Sequence, residues 1–230
     1  MYDARTGELA AFEALARWKH PSLGFVPPDV FIPIAEDNGL IHQIGAHTMR
    51  AARSLLIEAH GRAISMYVNV SVEQLARAGF AAEVADVFED DPVLLRRLVL
   101  EVTESSLILD RARLVDELSA LRNLGVGVAV DDFGSGYSSL LQLQELPVTE
   151  LKIDRTLVQR EGAVGHAVLR AVMQLARGLG LTVVAEGVEQ VDQLERLREL
   201  GSDRVQGFLF SPALPADLAL ELLRDLPSVA

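Results

Sequence analysis

Hydrophobic positions along the chain fall into short runs that alternate with longer stretches of helical period. Residues 64–70, 97–102, 126–132, 148–153, 181–186 and 204–208 read as strands: each is short, apolar and bounded by turn residues. Residues 9–18 also read as a strand, although Ala and Leu there equally suit a helix. Residues 19–28 are dense in Pro and Gly and predict a loop. Helical period is predicted over 30–35 with Asp29 as cap, and from a cap at Asn38 to near Gly61. It continues over 71–89, 110–124, 163–179, 191–200 and 215–226, with Gly125, Gly180 and Gly201 closing three of these.

Strands alternating with helices predict a parallel sheet covered by helices. No Gly/Ser linker divides the chain, so residues 1–230 read as one domain. Seven β-units fall one short of an eight-stranded barrel. A doubly wound open sheet is the competing architecture.

The polar residues within the strands bear on that choice. Glu13, Asn69, Glu101, Asp131 with Asp132, Asp154, Glu186 and Gln206 stand in or at the ends of the apolar runs, mostly at their C-terminal ends. In a closed barrel those ends converge on one mouth, where barrel enzymes work. Carboxylates gathered without cations repel one another, and an oxygen-only donor set favours Mg²⁺, Mn²⁺ or Ca²⁺. Lys152 lies two residues before Asp154 and so shares its face. It either points at the metals, where a lysine can hold or deprotonate a nucleophilic water, or forms a structural ion pair with Glu150 or Asp154. Two carboxylate-bound metals in an open mouth suit phosphoryl or phosphodiester chemistry.

Composition narrows the partners. Half of the residues are hydrophobic, enough for a sizeable core, and the formal net charge is -12. That balance argues against nonspecific nucleic-acid binding. Cysteine is absent, which removes disulfides and thiolate metal sites. The N-terminus lacks a signal-peptide run and no stretch is long enough to span a bilayer, so a cytoplasmic location is expected.

The motifs resemble those of the EAL family, the bacterial phosphodiesterases of cyclic di-GMP. The resemblance rests on Glu13-Ala-Leu15 within Phe-Glu-Ala-Leu-Ala-Arg-Trp, Phe31-Ile-Pro-Ile-Ala-Glu36, Asn69-Val-Ser71 and Leu100-Glu-Val-Thr-Glu104. It continues through Asp131-Asp-Phe-Gly-Ser-Gly-Tyr-Ser-Ser-Leu140, Leu151-Lys-Ile-Asp154, Val184-Ala-Glu-Gly-Val-Glu189 and Gln206-Gly-Phe-Leu-Phe210. It implies a modified (β/α)8 barrel whose first strand is antiparallel. It also implies hydrolysis of cyclic di-GMP to linear pGpG with two Mg²⁺ or Mn²⁺, and inhibition by Ca²⁺. By position, Glu13, Asn69, Glu101 and Asp131 would ligate one metal, and Asp131, Asp132 and Glu186 the other. Lys152 would contact the nucleophilic water. Leu15, Arg17, Asp154 and Gln206 would serve the substrate, and Glu104 would steady the loop after Asp132. The family usually opens with a strand carrying a Tyr-Gln-Pro motif. This sequence starts beyond it, so the antiparallel first strand is expected to be missing and a homodimer, strand exchange or lowered stability to follow. Family members often accompany sensor or cyclase domains. The alternative is a receptor that binds cyclic di-GMP without turnover.

Other matches carry less. Asp132-Phe-Gly134 spells a kinase metal motif, but the glycine-rich loop that would accompany it is absent. His42 and His47 lack metal-ligand spacing, His20 and Trp18 suit loop packing, and Glu189 reads as the start of a helix in preference to a metal-shell group at the barrel rim.

Overall fold

The computed structural model describes residues 1–103, 111–134, 143–224 and 226. The chain opens with β1 (Tyr2–Asp3), β2 (Ala11–Ala14) and a hairpin of β3 (Trp18–His20) and β4 (Gly24–Val26), followed by α1 (Pro28–Asp37) and α2 (Ile41–Glu58). Then come β5 (Ser65–Asn69), α3 (Val72–Leu75), α4 (Phe80–Val87), α5 (Pro92–Leu95), β6 (Leu98–Thr103), α6 (Arg111–Asn123) and β7 (Gly127–Phe133). The last third is β8 (Glu150–Ile153), α7 (Arg155–Val158), α8 (Gly162–Gly178), β9 (Thr182–Ala185), α9 (Val191–Leu200), β10 (Arg204–Val205) and α10 (Ala216–Arg224).

Eight strands pair in the order β1-β10-β9-β8-β7-β6-β5-β2, parallel except that β1 runs antiparallel to β10. The two ends of that order meet, because Ala10 N donates to Met1 O at 3.0 Å and Asp3 N to Glu8 O at 2.8 Å. The sheet therefore curls into the expected barrel, and the open doubly wound alternative falls. The sequence reading places no strand before residue 9. Instead Tyr2–Asp3 fills the antiparallel position, and the first strand is short rather than missing.

Strand alternation sorts side chains into two cores. Outward residues such as Val68, Leu100, Val128, Leu151 and Val183 pack under the helices in the main core. Inward residues Ala11, Tyr67, Val99, Ala129 and Val184 fill the middle of the barrel. Glu13, Asn69, Glu101, Asp131 and Glu186 follow these inward residues two positions on, as Lys152 follows Glu150 on β8, and so line the upper interior.

Several local expectations change. Residues 19–28, predicted as a loop, are largely the β3–β4 hairpin, whose turn is held by His20 Nδ1 accepting from Ser22 N and Leu23 N. The helical stretch 71–89 breaks into α3 and α4 at Gly79, which has φ 89°. Ser71 caps α3 through a reciprocal pair with Gln74. α1 starts at Pro28 rather than being capped by Asp29, because proline is preorganised for the first turn. α2 starts after Leu40, and Asn38 instead accepts from Leu40 N at 3.2 Å.

Candidate active site

Five strands deliver the central group directly: Glu13 from β2, Asn69 from β5, Glu101 from β6, Asp131 from β7 and Lys152 from β8. Glu186 and Gln206 stand just past β9 and β10, and their amides extend the ladder to Ile153 O (3.0 Å) and Ala185 O (2.8 Å). Lys152 is 1% exposed. Its ammonium lies 2.5 Å from Glu101 Oε1, 2.8 Å from Glu186 Oε1, 3.0 Å from Asp131 Oδ1 and 3.8 Å from Glu13 Oε2. The pairing with Glu150 or Asp154 that the sequence left open is not formed; Glu150 instead meets Arg204 and Tyr67. Asn69 Nδ2 donates to Glu13 Oε1 and to Glu101 Oε2, both at 3.0 Å, and Gln206 Nε2 donates to Glu13 Oε2 at 2.8 Å. The two amides fix the carboxylates on either side of the lysine.

Charge is unbalanced in this group: five carboxylates, counting Asp132, face one ammonium. Burial and the neighbouring carboxylates of Glu13 and Asp131 hold the Glu101 carboxyl well above its ordinary range, despite Lys152. Burial raises Glu186 to about 7, with Asp131 adding to the shift and Lys152 opposing it. Burial, then Asp131 and Asp154, also raise Asp132. Glu13 goes the other way: burial would raise it, but Lys152 and the hydrogen bonds from Gln206 and Asn69 lower it. Burial opposes charge on Lys152, and the surrounding carboxylates overcome that and strengthen its hold on the proton. Such frustration is relieved by an added cation. The oxygens of Asp131, Asp132 and Glu186 lie within 4.8 Å of one another, a spacing that fits a hard divalent ion.

Asp131 and Asp132 are adjacent, and a regular strand would send them to opposite faces. The backbone prevents this. Val130 and Phe133 of β7 pair with Leu151 and Ile153 of β8, so three steps of one strand span two of the other. Asp132 sits at the irregularity with φ 57°, a left-handed conformation that aspartate tolerates better than most residues. The pair thereby reaches the same mouth. Next to Gln206, Gly207 leaves no room for a side chain, because a Cβ there would lie 2.1 Å from Val188 O.

A cavity of about 1210 Å³ opens from this group, and Glu13, Asp132, Asp154, Glu186 and Gln206 line it. The predicted substrate residues Leu15 and Arg17 line it too; Leu15 is 40% exposed, and Arg17 donates to Ala16 O at 3.0 Å. Asp154 has a second task, capping α7 by accepting from Thr156 N (2.8 Å) and Thr156 Oγ1 (2.5 Å). Glu189 precedes α9, as expected, and its amide donates to Gln193 Oε1. Glu104 and the glycine- and serine-rich stretch 135–140 lie outside the described residues. Sequence reasoning missed Phe208, which lines the cavity at 73% exposure. It also missed Tyr67 and Arg204. The available signal was their spacing, two residues before Asn69 and Gln206 on the same strand face.

The EAL domain model matches residues 1–213. The chain belongs to the EAL domain family. It is 41% identical over 224 residues to the cyclic di-GMP phosphodiesterase NbdA of Pseudomonas aeruginosa, covering 95% of this chain and 28% of that protein. It is 40% identical over 220 residues to the oxygen sensor protein DosP of Escherichia coli, covering 93% and 27%. The EAL chain thus spans less than a third of either relative. Among solved structures, the PaMucR phosphodiesterase in complex with c-di-GMP superposes with a TM-score of 0.85 at 39% identity, covering 95% of this chain and 90% of that one. Among the described residues, no helix is long and apolar enough to cross a membrane.

Proposed function

We propose that this EAL domain hydrolyses one phosphodiester bond of cyclic di-GMP to give linear pGpG, using two Mg²⁺ or Mn²⁺ ions. The observation that carries the reading is the buried Lys152 ammonium among Glu101, Asp131 and Glu186, joined through Glu186 and Glu13 to the cavity that these two carboxylates line. When bound, the ions lower the pKa of a water and neutralise charge on the phosphoryl oxygens in an in-line displacement. Glu13, Asn69, Glu101 and Asp131 are positioned to hold one ion, and Asp131, Asp132 and Glu186 the other. Lys152 stands where it can hold the attacking water, and the carboxylates around it keep it charged for that task. Gln206 keeps Glu13 turned toward the group. Leu15 and Arg17 offer the wall of the cavity an apolar surface and a guanidinium for a guanine base and a phosphate. The closure of the barrel by β1 favours this enzyme over a binding-only receptor, whose case rested on a missing strand.

Incubation with cyclic di-GMP and Mn²⁺, followed by chromatography, should yield pGpG. In Lys152→Ala, kcat should fall by about 10²- to 10⁴-fold, the range of a positioned proton-transfer group, while Mn²⁺ still binds. Wild-type rates in that variant would remove the lysine from the mechanism. Binding of cyclic di-GMP by the wild type without turnover would replace the enzyme with a receptor.

A further inference from the structure

The lower half of the barrel interior holds a second polar cluster that the reaction does not use. Tyr67 is fully buried and Glu150 is 8% exposed. Arg204 Nη1 donates to Glu150 Oε2 at 3.3 Å and to the Tyr67 hydroxyl, which in turn donates to Glu150 Oε2. The guanidinium carbon stands 5.8 Å from the centre of the Tyr67 ring. Burial, reinforced by Glu150, pushes the Tyr67 hydroxyl well up, so it remains a donor. Three strands, β5, β8 and β10, are thus tied together across the barrel.

Glu150 matters because of where it stands. It precedes Lys152 by two residues on the inward face of β8, roughly 7 Å along the strand. A lysine has a four-carbon stem and can fold back that far. A free Glu150 carboxylate would therefore compete for the ammonium with Glu101, Asp131 and Glu186. It does not compete here, since both groups that reach it from across the barrel are donors.

We propose that Arg204 and Tyr67 are positioning residues for Lys152: by occupying Glu150 from below, they reserve the ammonium for the carboxylates of the mouth. The inference rests on the reading that Lys152 acts in that mouth. It makes an unusual demand on a variant. Without Arg204 the ammonium is drawn down the barrel, so turnover drops, yet the carboxylates lose a competing cation and hold a divalent ion more tightly. General structural damage would weaken both.

The test compares wild type, Arg204→Met, Arg204→Lys, Glu150→Gln and the double variant Arg204→Met/Glu150→Gln, all as the full chain. Mn²⁺ affinity is read by titration calorimetry, and kcat and KM with cyclic di-GMP. For Arg204→Met, kcat should fall about tenfold or more with KM little changed, while Mn²⁺ binds more tightly. Glu150→Gln alone should stay close to wild type, Arg204→Lys should keep most of the turnover, and the double variant should regain both wild-type values. If Arg204→Met fails to fold, Tyr67→Phe keeps the ring, removes one donor to Glu150 and should move both readouts the same way by less. An Arg204→Met protein with unchanged kcat, or with kcat and Mn²⁺ affinity both reduced, overturns the proposal. So does a double variant as impaired as the single. If wild type itself fails to turn over cyclic di-GMP, the proposed function falls, and the opposite movement of Mn²⁺ affinity still decides the placement of Lys152.

Discussion

The two halves of the barrel interior are built from the same strands and differ in charge balance. Below, Glu150 meets Arg204 and a phenol, and every charge has its counterpart within the cluster. Above, Glu13, Glu101, Asp131, Asp132 and Glu186 surround Lys152, and the excess is negative. A balanced buried cluster can hold a structure together; an unbalanced one holds a place for something else. The upper half also gathers irregular backbone, with the left-handed Asp132 and the tightly packed Gly207. Strain collects where positions are dictated by chemistry rather than by packing.

The comparison breaks most completely at Asp131. Asp131→Asn keeps the shape and removes the charge common to both proposed ion sites. Hydrolysis of cyclic di-GMP should fall at least about a thousandfold, roughly 4 kcal/mol in the barrier, and extra Mn²⁺ should not restore it. Stability offers a second contrast. Glu186 holds its proton to about 7 against an ordinary 4.5, and Glu101 and Asp132 are shifted the same way. Between those pH values the unfolded chain has already released protons that the folded one keeps, so folding weakens as pH rises. Metal-free protein should lose on the order of a few kcal/mol between about pH 4.5 and 7.5 in urea titrations, and Mn²⁺ should cancel the loss. A flat profile without metal would mean the mouth is not strained by its own charge. Smaller still is the effect of Gln206→Leu, which removes the donor to Glu13 Oε2. Metal affinity should drop by about 10- to 100-fold, as for other groups that orient a ligand, with the melting temperature little moved.

Much of the upper half was legible in the sequence, because polar residues inside or at the ends of otherwise apolar strands have few structural reasons to be there. Asn69, Glu101, Asp131, Lys152 and Gln206 all announced themselves in this way. The partner of Lys152 did not. Choosing between Glu150 and the mouth depends on Arg204, which arrives from a strand some fifty residues further along. Nor did the strain at Asp132, since its conformation follows from a register shift against β8 rather than from local composition. β1 escaped notice because two residues cannot display a period. The second task of Asp154 was within reach: Asp-Arg-Thr followed by an apolar pair is a helix-start pattern, and Thr156 completes it.

The closure between the first and last strands carries a further consequence, for the order of assembly. Gln206 reaches Glu13 across 193 positions of sequence, and Arg198 donates to Ala4 O across 194. Contacts so remote in sequence confine the largest loop and form against the greatest entropic resistance. The units β5 to β9, each packed against its successor, can collapse in the order they are synthesised. The mouth is finished only when β10 docks against an N-terminal segment made some two hundred residues earlier. A ribosome-bound chain that ends before Arg204 therefore holds all five carboxylates but lacks Gln206 and the β10 closure that fix Glu13 in the mouth, and competence for turnover is the last property the domain acquires.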